Sequence, residues 1–148
     1  MKVGIANDHG GLQLKNKVVE HLKSKGYEVI NYGTDSSESY DYPLAAKALC
    51  EGYKNKEFEY GIAICSTGIG ISIACNKHKG IRACCCSDTL SARMTREHNN
   101  ANIICFGEKI VSPEKAYEIV DTFLSTAFSN GERHIRRINQ ITEIEDNQ

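Results

Sequence analysis

The segment Cys65-Ser66-Thr67-Gly68-Ile69-Gly70-Ile71-Ser72 puts a thiol, hydroxyls and two glycines directly after the apolar run Tyr60–Cys65. Successive backbone N–H groups in such a turn, where a helix opens, form a cradle for an oxyanion or a phosphate. The spacing is neither Walker A nor G-x-G-x-x-G, and no lysine follows the glycines. A cysteine entering the turn feels the positive end of the helix, which favours thiolate. The alternative is that Cys65 is only the last buried residue of a strand. The first apolar run ends comparably in Asn7-Asp8-His9-Gly10-Gly11. There an Asp-His pair either orients a sugar hydroxyl and binds an anion, or Asp8 merely caps a helix.

Two further groups lie downstream. Glu97-His98-Asn99-Asn100 reads as a helix end. A histidine there is a solvated cap that gains from the dipole, or a proton carrier for a sugar hydroxyl. The tail reads Arg133-His134-Ile135-Arg136-Arg137-Ile138. If helical, Arg133 and Arg137 share a face and suit a phosphate, while Ile135, Ile138 and Ile141 line another side. The other reading is a basic solvated face paired with the acidic end Glu143–Asp146, and Arg136 fits that better.

Strands and helices that alternate along the chain must position these groups. Val3–Ala6, Tyr27–Asn31, Tyr60–Cys65, Ile81–Cys86 and Asn102–Phe106 read as strands. Leu14, Val18 and Leu22 recur at helical spacing, with Gly26 as a C-cap. Residues 32–42 form a polar loop closed by Pro43 at a helix start. The cradle opens a helix running to about Asn76, and another spans about Asp88 to Glu97. Ser112-Pro113 opens a helix whose apolar face runs from Ala116 to Ala127 and which Gly131 ends. Apolar strands alternating with amphipathic helices predict an α/β fold: a Rossmann-like three-layer sandwich on a parallel, about five-stranded sheet, with a C-terminal helical tail. Ligands of such sheets bind beyond the strand carboxyl ends, near a topological switch point. No linker or repeat interrupts the pattern, so residues 1–148 are expected to form one domain.

The 148 residues carry 18 Lys+Arg against 19 Asp+Glu, a net charge of −1 that supplies no field for nucleic acid or an anionic membrane. No apolar run approaches a membrane span. The N-terminus lacks a secretory pattern and reads as mature protein. Seven cysteines, with no C-x-x-C pair, point to a reducing cytoplasm, and Cys84–Cys86 are expected to be small buried hydrophobes.

Taken in order, Asn7–Gly11, Asp41-Tyr42-Pro43, Cys65–Ala74, Asn76-Lys77, Gly80–Ala83, Glu97–Asn99 and Arg133-His134-x-x-Arg137 resemble the RpiB/LacAB sugar-phosphate isomerase family over essentially the whole chain. The resemblance implies a cofactor-free, metal-free aldose–ketose isomerase acting on ribose 5-phosphate and ribulose 5-phosphate. Asp8 and His98 would open the furanose ring, with His98 as proton donor. Cys65 would move the carbon-bound proton, and Thr67 the proton between oxygens. The N–H groups of Ser66, Thr67, Gly68, Ile69 and Gly70 would hold the enediolate. His9, Arg133 and Arg137 would take the phosphate, while Asn99, Tyr42 and Lys109 line the substrate. Ile71 stands where one branch carries a glutamate base, which leaves the role to Cys65. Lys109 replaces an arginine of many relatives, keeping the charge without the bidentate fork. Family sites are similar to composites at a homodimer interface, with His98-Asn99 from the partner; dimers pairing into tetramers are left open. The alternative substrate is allose 6-phosphate or another hexose 6-phosphate, although galactose-type relatives generally lack the histidine and the arginine clamp. A non-catalytic phosphosugar-binding domain is the more distant reading, because binding alone requires neither a base nor a proton donor.

Overall fold

The computed structural model describes residues 1–148. Five strands alternate with six helices: β1 (Lys2–Asn7), α1 (Leu12–Ser24), β2 (Glu28–Asn31), α2 (Tyr42–Lys54), β3 (Tyr60–Cys65), α3 (Ile69–Cys75), β4 (Ala83–Cys85), α4 (Thr89–Asn99), β5 (Ile103–Gly107), α5 (Pro113–Ser125) and α6 (Glu132–Asp146). All strand pairs are parallel, in the order β2-β1-β3-β5-β4. The fold is the expected Rossmann-like three-layer α/β sandwich. No helix is long and apolar enough to cross a membrane.

The two faces of the sheet are packed differently. Leu14, Val18 and Leu22 of α1 join Ile119, Val120 and Phe123 of α5 over Val3, Ile5, Ile62 and Ile104. On the other face Ala45, Ala46 and Leu49 of α2 and Ile71 of α3 lie on Ala6, Ala63, Cys65 and Cys105. The small strand residues on that face let the helices approach closely. The chain therefore leaves β1 through α1 on one face and returns to β3 through α2 on the other. Its winding reverses between β1 and β3. That is the switch point, and the carboxyl ends flanking it carry Asp8 and Cys65.

Three expectations need correction. The fifth helix stops at Ser125, not near Gly131; Thr126 is extended, and its carbonyl accepts the guanidinium Nε of buried Arg96 at 3.1 Å. Ala127 lies outside the helix and is exposed, and Gly131 instead precedes α6 as its N-cap. Second, Cys84–Cys86 are not uniformly buried: Cys86 is, Cys84 is half-buried and Cys85 is exposed. β4 is an edge strand, and only the short α3 covers the face on which Cys85 lies. Third, the alternative reading of the tail, kept for Arg136, fails in its pairing: none of Arg133, Arg136 and Arg137 makes an ion pair with Glu143–Asp146. Glu145 instead accepts the backbone N–H of Gly80, at 3.1 and 3.2 Å from its two oxygens. Ile135 and Ile141 are exposed in this chain.

Candidate active site

Cys65 ends β3 nearly buried, and the backbone N–H of Gly68 donates to its Sγ at 3.1 Å. Gly68 makes that turn at φ +80°, where a Cβ would also strike the Phe106 backbone at 2.6 Å. The loop after β5 clasps the turn: Glu108 and Lys109 donate backbone N–H groups to the carbonyls of Cys65 and Ser66, both at 3.0 Å. Ser66 and Thr67 thus stand at the mouth of the α3 N-terminus, with Thr67 exposed and its hydroxyl accepting the Ile69 N–H at 3.2 Å. The Tyr42 ring lies over Gly70, at 2.8 Å from where a Cβ would be. Lys109 is exposed beside the same turn.

Asp8, at the end of β1, is 7% exposed and makes no capping hydrogen bond, and its Oδ1 has no partner in the protein. A helix-cap role is therefore excluded. A buried carboxylate oxygen without a donor costs free energy unless a ligand supplies one. Ser66 Oγ packs so tightly against Gly10 that a side chain there has no room. The β1 and β3 ends are thereby locked side by side. His9 is exposed, and its Nδ1 accepts the Tyr40 backbone N–H at 3.0 Å, which leaves Nε2 to carry the hydrogen.

Asp8, His9, Tyr42, Cys65, Ser66, Thr67, Gly68, Ile69, Gly70 and Lys109 therefore gather at the carboxyl edge of the sheet. His98, Asn99, Arg133 and Arg137 do not. The eleven-residue α4 starts beyond β4 and runs back about 16 Å to the opposite edge. Its exit residue Asn102 accepts, through its carbonyl, the N–H of Gly61 at the start of β3. Cys65 is the last residue of that strand. At this far edge His98 stacks on His134 of α6 with ring centroids 4.4 Å apart and planes 9° apart. Burial, then the charges of His98, Arg133 and Arg137, hold the His134 pKa below its ordinary value.

Arg96 and Arg82 fix this second cluster. Arg96, 3% exposed, donates to the Ala101 carbonyl and the Asn100 side chain at 2.8 Å each, and to the Tyr60 hydroxyl at 2.9 Å. Arg82 donates to the carbonyls of Asn99 and Asn100 at 2.9 Å. Together they cap the α4 C-terminus that presents His98 and Asn99. Reading the sequence did not single out Arg96, Lys15 or Asn7 as site supports. For Lys15 a signal was present: it is a charge spaced three and seven residues before Val18 and Leu22, on the buried stripe of α1.

The fold and these strand ends define a class: a doubly wound α/β protein holding a thiol and an unpartnered carboxylate around an anion-cradling turn. A family model described as Ribose/Galactose Isomerase matches residues 3–141. Ribose-5-phosphate isomerase B of Escherichia coli strain K12 is 45% identical over 144 residues, 97% of this chain and 96% of its own. Ribose-5-phosphate isomerase B of Clostridium thermocellum superposes with a TM-score of 0.97 at 50% identity, covering 99% of both chains. The enzyme of the same name from Mycoplasma genitalium, solved with bound ribulose 5-phosphate, has a TM-score of 0.92 at 38% identity, covering 99% of this chain and 97% of its own. The chain belongs to the Ribose/Galactose Isomerase family, and it is an isomerase.

Proposed function

We propose that residues 1–148 act as one catalytic unit interconverting D-ribose 5-phosphate and D-ribulose 5-phosphate through a cis-enediolate. The observation that carries this is the pairing, at the switch point, of Cys65 Sγ under the Gly68 N–H with the unpartnered Asp8 carboxylate. Asp8 accepts a proton from the anomeric hydroxyl while His98 donates one to the ring oxygen, and the furanose opens to the aldehyde. The Cys65 thiolate then removes the proton from C2. Charge develops on O1, where the N–H groups of Ser66 through Gly70 are the stabilising donors. Thr67 relays the proton from O2 to O1, and Cys65 returns its proton to C1, giving the ketose. His9, Arg133 and Arg137 hold the phosphate, and Asn99, Tyr42 and Lys109 contact the sugar.

His98 and Cys65 lie at opposite edges of one chain's sheet, so this chemistry takes two copies. In a homodimer with antiparallel sheets, the partner's His98 and Asn99, with the partner's Arg133 and Arg137, reach the strand ends that hold Cys65. Cytoplasmic residence belongs to the same reading, which the sugar-phosphate substrate and the free thiols support. The test is a coupled assay, without added metal, comparing ribose 5-phosphate, allose 6-phosphate and galactose 6-phosphate. The highest kcat/KM on the pentose supports the reading; a hexose preference replaces the substrate, and no turnover of any of them leaves only phosphosugar binding.

A further inference from the structure

Lys15 lies 1% exposed on α1, where a lysine has no place unless its ammonium is fully used. All three of its donors are used, by the last residue of β2 and the segment that follows it: Asp35 Oδ1 at 2.6 Å, the Thr34 carbonyl at 3.2 Å and Asn31 Oδ1 at 3.3 Å. Asn31 also donates to both oxygens of Asp35, at 3.0 and 3.2 Å. Asn7 strengthens the same anchor, its side-chain amide donating to the Thr34 carbonyl at 3.1 Å. From Thr34 the loop turns through two hydroxyl-capped bends, Thr34 to the Ser36 N–H and Ser36 to the Glu38 N–H. It arrives at Tyr40, whose N–H meets His9 Nδ1.

We infer that Lys15 is a positioning residue for His9: by pinning the root of the 31–41 loop it places the Tyr40 N–H that makes Nδ1 an acceptor and Nε2–H the outward donor. The Tyr40 carbonyl also approaches Nδ1, at 3.3 Å. The Tyr40 N–H lies closer, at 3.0 Å, and can only donate, so it favours Nδ1 as the acceptor. The form of the ring at His9 is thus set by an ion pair two elements away. With the loop released, Nδ1 can take the hydrogen, and Nε2 then faces a phosphate as an acceptor, which repels it. The Lys15 ammonium is the first cause holding the Asp35 carboxyl below its ordinary pKa, consistent with a formed ion pair. The inference rests on the proposed role of His9 at the phosphate, yet its structural half can be read without activity.

The experiment uses the full chain carrying Lys15→Met or Asp35→Asn. Asp35 is exposed, so the second variant preserves the packing should the first fail to fold. Nitrogen NMR of the His9 ring reads which nitrogen bears hydrogen, and steady-state kinetics read KM apart from kcat. The expected result is a shift of His9 from the Nε2–H form toward mixed forms in the folded variants. KM for the phosphorylated sugar should rise roughly fivefold, the worth of one ordinary hydrogen bond, with kcat nearly unchanged. In a His9→Ala background the same substitutions should raise KM no further. An unchanged His9 spectrum in folded Asp35→Asn overturns the inference, as does an additive double variant. A normal KM in His9→Ala alone would instead refute the phosphate role of His9, and the nitrogen spectra would still decide what Lys15 does.

Discussion

Cys65 stands apart from the other six cysteines because a backbone N–H is aimed at its sulfur from a turn that a ligand can reach. The neighbouring Cys86 thiol holds the Cys84 thiol below its ordinary value against the cost of burial, so half-buried Cys84 is the comparison for alkylation. A sugar phosphate should therefore protect Cys65, and not Cys84, from iodoacetamide, as peptide mass mapping would read. Cys65→Ala should fold normally, since one small apolar group replaces another. Its kcat should fall by about 10²–10⁴, the usual contribution of a positioned general base. Wild-type exchange of solvent hydrogen into product by that variant would remove Cys65 from the mechanism. Gly68→Ala tests the turn itself. The left-handed conformation costs an L-residue about 1–2 kcal/mol, and contact with the Phe106 backbone adds to it. A lower melting temperature and lost activity are expected together, and a variant as stable as wild type would contradict the backbone geometry.

Among the elements, α4 and α6 form a unit through the His98–His134 stack. The folded His134 pKa lies below its ordinary value of 6.5, so docking of α6 favours the neutral ring. That contribution is complete above the ordinary value. It is lost as pH falls through it, because undocked His134 takes its proton first. Amide exchange along α6, corrected for intrinsic rate, should therefore speed up between about pH 7.5 and about pH 5.5. His134→Phe should abolish the difference, and equal protection at both pH values in the wild type would count against the stack. The same helix separates Arg133 and Arg137 from Arg136 by its 3.6-residue turn. Losing Arg133 or Arg137 should raise KM about tenfold, whereas Arg136→Ala should be near neutral. Equal damage from all three would mean that no clamp exists on that face.

For the whole molecule the decisive measurement is complementation. Cys65→Ala and His98→Asn are each expected to be inactive, but with the proposed composite site a mixed dimer would pair the intact Cys65 of one chain with the intact His98 of the other. Refolding equal amounts together should restore about a quarter of the sites, since half of randomly formed dimers are mixed and each regains one. No recovery would confine the site to a single chain. The identity and order of strands and helices, and the polar chemistry at the ends of β1 and β3, were legible in the sequence alone. Hydrophobic periodicity and turn chemistry act over a few residues and are written locally. So were the start of α2 at Asp41-Tyr42-Pro43 and the Ser112 cap of α5, whose hydroxyl accepts the Lys115 N–H. The strand order that makes β1 and β3 neighbours, the end of α5 on the Arg96 guanidinium, the exposure of Cys85 at a sheet edge and the burial of Lys15 were decided only by the tertiary structure. So was the separation of His98 from Cys65 across the sheet. Each of these depends on which distant segment meets a given residue, and that is set by the summed packing of the whole chain, which no local spacing records.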